Sequence, residues 1–234
     1  MKRLTLVFLE LRNHAPFTLF GASTGILCML LFRNLGSQTS LRLFQIFHPA
    51  HVVLSAMVTS SLFLIYKKKT SIIMLLIIGY FGSIGIATLS DSILPFFGES
   101  LFGVAIPTHE HSEEAQGTLI NESQTPEEHT HEGHGIYLGF IEEWYVVNPA
   151  AFLGIFIAYF MPRTKFPHAG HVLISTWASS FHVMMNTQRE LTAAILAGFF
   201  IVLFIAVWLP CCISDIVFPM LFIKSGEYKP LHHH

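Results

Sequence analysis

The sequence predicts an all-α polytopic membrane protein: six transmembrane helices forming two inverted three-helix repeats, with both termini cytoplasmic. Three observations predict it. Of 234 residues, 52% are hydrophobic and only 12% charged, about half the ~25% charge of a soluble domain. Six apolar windows reach the length of a bilayer-crossing helix, about 20 residues. A pattern of Glu, Pro, Gly, His and Asp also occurs twice along the chain at nearly constant spacing. The net charge of −2 supplies no basic face for a phosphate backbone, so nucleic acid is not an expected partner.

The spans are expected at about 15–32, 49–66, 70–90, 144–162, 168–187 and 191–214. Residues 4–12 form a short apolar piece, an interfacial helix or an extension of the first span. The basic start, Lys2 and Arg3, is followed by no small-residue cleavage site, so no removable signal peptide is expected. Residues 1–98 make the first repeat, 99–141 a loop, and 142–230 the second repeat. Residues 231–234, ending in three histidines, read as a tag remnant.

Lys and Arg set the orientation, because cytoplasmic loops hold their excess. With the N-terminus inside, 10 basic residues fall inside and 3 outside. The loop of about 96–143 is then extracytoplasmic. It holds ten Glu, no Lys or Arg, and five histidines: His109, His111, His129, His131 and His134. Imidazoles two or three residues apart on a polar tract capture divalent transition metals loosely. The expected location is the cell inner or plasma membrane, with the lipid bilayer as partner and a homodimer as assembly.

The repeat carries the functional expectation. His48-Pro-Ala-His51 lies over His168-Ala-Gly-His171, with Val52 on Val172, Ser55 on Ser175 and Ser60 on Ser180. Ser90-Asp91 through Pro95 lies over Ser214-Asp215 through Pro219, and these are the only two aspartates. Upstream, Glu10, Pro16 and Gly21 match Glu143, Pro149 and Gly154. A repeat of three spans must insert its second copy upside down, the inverted-repeat architecture of many transporters.

Ionisable residues inside spans mark pathways or sites. His48, His51, Asp91 and Glu143 are expected to gather on the outer side, with the histidines opening the second span and Pro49 in its first turn. His168, His171, Asp215 and Glu10 are expected on the inner side. Each set suits a divalent transition metal, zinc first. Ser55 and Thr59 continue the His51 face, and Ser175, Ser179 and His182 the His171 face. Ser90 and Ser214 adjoin the aspartates, and all these hydroxyls are candidates to line a pathway. His182 has no histidine counterpart in the first repeat. Cys211 and Cys212 follow Pro210, which should break or kink the last span; they are small hydrophobes or soft ligands. Three cysteines make no disulfide framework.

The expected function is secondary transport of a divalent transition-metal ion (zinc, iron, manganese, nickel or cobalt) by alternating access between the two clusters. Protons are the expected coupling ion, since imidazole loses its proton to bind metal. The chain has no Walker motif. In its membrane histidines and His-rich loop it is similar to zinc–iron permeases, although those have eight spans and His-x-x-x-Glu helix motifs. Two alternatives are an intramembrane zinc-dependent hydrolase and a haem-binding membrane protein with axial histidines.

Overall fold

The computed structural model describes residues 3–67, 71–102, 138–162, 165–187, 191–212 and 218–222. All regular elements among the described residues are helical. They are α1 (Arg3–Leu31), α2 (Ser37–Tyr66), α3 (Ile72–Thr88), a π-helical turn (Leu89–Ile93), α4 (Leu94–Leu101), α5 (Gly139–Glu142), α6 (Trp144–Phe160), α7 (Lys165–Asn186), α8 (Ala193–Cys212) and α9 (Phe218–Leu221).

Each expected span falls on a helix, and four stretches are long and apolar enough to cross a membrane: His14–Leu31, Ser37–Tyr66, Ile72–Leu101 and Ala193–Cys211. Trp144–Phe160 is apolar but shorter, at 17 residues. Helix α7 has 22 residues but alternates apolar side chains with His, Ser and Thr. It tolerates that composition because it packs against α1, α2, α4 and α8, and Ser175, Thr176, Ser179, Ser180 and His182 are all buried there. Among the described residues, exposed large apolar side chains are carried by the other helices. Phe20, Phe81, Phe156 and Ile201 are examples, each more than half exposed.

Helices α2 and α7 lie side by side in opposite directions. The Ser37 hydroxyl donates to the Met185 carbonyl at 2.6 Å near one end of the pair. Phe47 meets Trp177 edge-on, and His51 stacks on His171 further along. Close approach of α1 and α6 to this pair needs glycine. A Cβ on Gly154 would strike the Val53 carbonyl and come within 2.7 Å of Ala56, and one on Gly21 would lie 3.2 Å from Thr176. Small residues at such crossings let backbones approach where lipid gives no hydrophobic drive between helices.

Two expected boundaries are corrected. Helix α2 starts at Ser37, not near residue 49, so Pro49 lies inside it and His48 and His51 sit mid-helix rather than at a helix start. Proline in a helix interior removes one backbone donor but is accommodated where packing holds the helix on both sides. The third span likewise does not end near residue 90: Ile72–Leu101 is one apolar helical run, interrupted only by the π turn. Glu99, assigned by sequence to the loop, therefore lies on α4 and is fully buried.

Candidate metal centre

Asp91 sits in the π turn, a single-turn widening that recurs at functional sites. Its cause is legible in the backbone. The Leu94 N–H bonds to the Leu89 carbonyl, an i+5 spacing. The next residue, Pro95, has no N–H to give to Ser90. The Ser179 hydroxyl, 2.8 Å from the Ser175 carbonyl and 3.0 Å from that of Ser90, shares its one proton between them and so replaces part of the missing donor. A proline four residues after the aspartate thus opens the helix and ties it to α7.

The Asp91 carboxylate is fully buried and accepts four hydrogen bonds. Ser90 and Ser175 donate to Oδ1, each at 2.8 Å. His48 and His51 donate from Nδ1 to Oδ2 at 3.0 and 2.7 Å. An ionised carboxylate only accepts, so against it each imidazole presents an Nδ1–H and turns its Nε2 away from Asp91. Neither Nε2 finds a hydrogen-bond partner among the described residues. A carboxylate on one imidazole nitrogen is the outer half of the usual carboxylate–histidine–metal arrangement.

The two Nε2 atoms meet different surroundings. His48 stacks on Phe44 with centroids 5.1 Å apart, and a Cβ on Gly139 of α5 would lie 2.9 Å from its Nε2. Helix α5 therefore covers His48, and only glycine fits at that contact. His51 stacks on His171 at 5.3 Å with planes 4° apart. One ligand atom each from His51, His171 and Cys211 lies within 4.8 Å of the others, and all three residues are buried. Zinc bonds of about 2.0–2.3 Å would place tetrahedral ligands roughly 3.3–3.8 Å apart, so these side chains need only close in and reorient.

The expected outer and inner sets are thus not held apart: His51 and His171, one from each, are neighbours at the crossing of α2 and α7. The row continues in both directions. His168 meets His171 edge-on at 5.3 Å and His14 at 4.1 Å. On the other side Phe44 separates His48 from His182, whose ring it touches edge-on at 5.4 Å. The His182 Nδ1 lies 3.1 Å from Glu99 Oε1, and Asn186 donates to Oε2 at 3.0 Å. The sequence reading missed this pair because Glu99 opens an acidic run. Its signal was the spacing of eight residues from Asp91, two helical turns on. From His168 to His182 the row extends about 21 Å at 1.5 Å per residue.

Other candidates are placed as follows. Ser55 and Thr59 are buried on α2, and Glu143 is buried at the turn between α5 and α6. Glu10 lies on α1 and Cys212 ends α8, but their side chains fall outside the described residues, as do Ser214, Asp215 and the five loop histidines. No family model matches the chain, and no curated protein or solved structure matches it.

Proposed function

We propose that the chain is a secondary transporter of a divalent transition-metal ion, zinc foremost among zinc, iron, manganese, nickel and cobalt. The observation that carries this reading is the buried donor set of His51, His171 and Cys211 beside a carboxylate that fixes the His51 tautomer. Buried ionisable groups in a membrane are costly and mark ion paths or proton relays. Here they form a row through the interior rather than one surface cluster. The ion would occupy the His51–His171 crossing and reach it alternately from the Glu99–His182 end and the His14–His168 end. Imidazole releases its proton to bind metal, so proton countertransport suits the same row.

The inverted-repeat reading, put forward with six spans, cytoplasmic termini and a collecting loop outside, draws support for its two-fold relation from matching contacts. Gly21 faces Thr176 and Val172, and its counterpart Gly154 faces Ala56 and Val53. A shift of 120 residues, which lays His51 on His171, also lays Ala56 on Thr176. An inverted repeat with its axis between His51 and His171 produces both pairs of contacts.

A single asymmetric site favours the intramembrane zinc hydrolase more than two distant clusters would, since three protein ligands and an open position are the catalytic arrangement. Its ligands are fully buried, which suits a small ion better than a lipid or peptide. The haem reading fits less well: rings stacked 5.3 Å apart leave no slot for a macrocycle between them.

The test is metal retention and liposome flux by protein lacking residues 107–135 and 232–234, beside its His51→Ala variant. Retained zinc and zinc flux, both lost in the variant, are the expected result. Retained zinc without flux of any divalent ion would turn the assignment to the hydrolase, and no His51-dependent metal would refute both.

A further inference from the structure

We infer that Cys211 binds the ion as a thiolate and makes this centre selective for zinc-class ions over manganese and magnesium; the inference rests on the metal reading above. Three helices converge to make the set: α2 brings His51, α7 His171 and α8 Cys211, with one ligand atom of each inside 4.8 Å. The His51 Nε2 is buried without a hydrogen-bond partner among the described residues, an independent sign of a ligand-facing nitrogen. Cys28, also buried, belongs to no such group among the described residues.

The chemistry of the donors sets the preference. Two imidazoles and one sulfur suit zinc, cobalt and copper, whereas magnesium and manganese favour oxygen donors and higher coordination. Among the described residues, the carboxylate in contact with His51 offers little oxygen, because both Asp91 oxygens already accept two hydrogen bonds each. Charge agrees as well. One thiolate ligand and the Asp91 carboxylate on the His51 imidazole together neutralise a divalent cation, which a low-dielectric interior requires. On binding, the sulfur–proton bond breaks, the metal–sulfur bond forms, and the proton leaves to water.

Cobalt(II) reports on this directly, since a thiolate ligand gives an intense near-ultraviolet charge-transfer absorption that imidazole and carboxylate do not. The full chain in detergent is titrated with cobalt, beside Cys211→Ser, Cys211→Ala, Cys28→Ser, Cys212→Ser and His51→Ala, with thermal melting as the check on folding. The expected result is a thiolate band retained in the Cys28 and Cys212 variants, lost in folded Cys211 variants and in His51→Ala, and bleached by zinc but not by equal manganese. Cys211→Asp should lower the preference for zinc over manganese by about tenfold or more. His51-dependent cobalt without the band, or with a band indifferent to Cys211, would overturn the thiolate assignment and leave the metal centre standing. Absence of any His51-dependent cobalt would overturn both.

Discussion

Asp91→Asn separates a positioning carboxylate from a metal ligand. Asparagine has the same shape and keeps an acceptor oxygen for the His48 and His51 Nδ1–H groups. Its amide then faces Ser90 and Ser175, whose hydroxyls can turn from donors into acceptors. All four contacts survive, and only the negative charge goes. Loss of a carboxylate behind a metal-bound histidine costs about 10–100-fold in affinity, or about 1.4–2.7 kcal/mol, with the fold intact. Asp91→Ala differs, because it strands two buried Nδ1–H donors at about 1–3 kcal/mol each, a total of roughly 2–6 kcal/mol. Competition against a chromophoric chelator reads the affinity, and melting in detergent reads the fold. Unchanged zinc affinity in Asp91→Asn would refute the contribution of the carboxylate's charge. A loss as complete as that of His51→Ala would make Asp91 itself a ligand.

Pro95→Ala restores an N–H that can bond the Asp91 carbonyl, its α-helical i+4 partner; it should close the π turn toward α geometry, swing the Asp91 side chain out of register and weaken zinc binding by about tenfold or more, measured by the same competition. Gly154→Val should cost about 1–3 kcal/mol or more through collision with α2, whereas Gly85→Ala, with nothing within 4 Å of the new Cβ, should be neutral or stabilising by up to about 1 kcal/mol; melting curves compare them. Glu99→Ala strands the His182 Nδ1 and the Asn186 amide and should cost about 2–6 kcal/mol. Glu99→Gln, which keeps an acceptor, should stay within about 1 kcal/mol of the parent in the same melts.

The helices and the His–Asp pairing were legible in the sequence because apolar run length and repeat spacing are local properties. The helix ends were misjudged wherever proline was taken as punctuation. Pro49 fits a first helical turn, and a third span expected to end near residue 90 stops ahead of Pro95, yet both prolines lie within longer apolar runs whose packing outweighs a lost backbone bond. Glu99 went unrecognised for the same reason: ending the span at residue 90 cut the face that carries Asp91 and Glu99 together. The meeting of His51 with His171 was out of reach for a different cause. It depends on where α2 crosses α7, and that depth is fixed by contacts such as Ser37 to Met185 and Gly154 to Ala56, which join residues far apart in the chain.

That crossing gives the proposed duplication its most exacting test. The shift of 124 residues that lays Asp91 on Asp215 also lays Ala87 on Cys211. Ala87 packs in one core cluster with Val52, and Cys211 packs in another with Val172; the proposed repeat also lays Val52 on Val172. If a two-fold axis passes between His51 and His171, Ala87 and Cys211 flank the histidine pair from opposite sides, and only one side carries sulfur. Cys211→Ala should then abolish the cobalt thiolate band, and adding Ala87→Cys should restore it, with the ligand supplied from the other repeat. Ala87 is fully buried, so the added sulfur also demands space, and a loss of about 1–3 kcal/mol in stability is expected alongside. A folded double variant that binds cobalt without the band would refute the two-fold relation at this site. Restoration would mean that each half presents the same scaffold to one shared ion, and that a single alanine-to-cysteine difference decides which half supplies the sulfur.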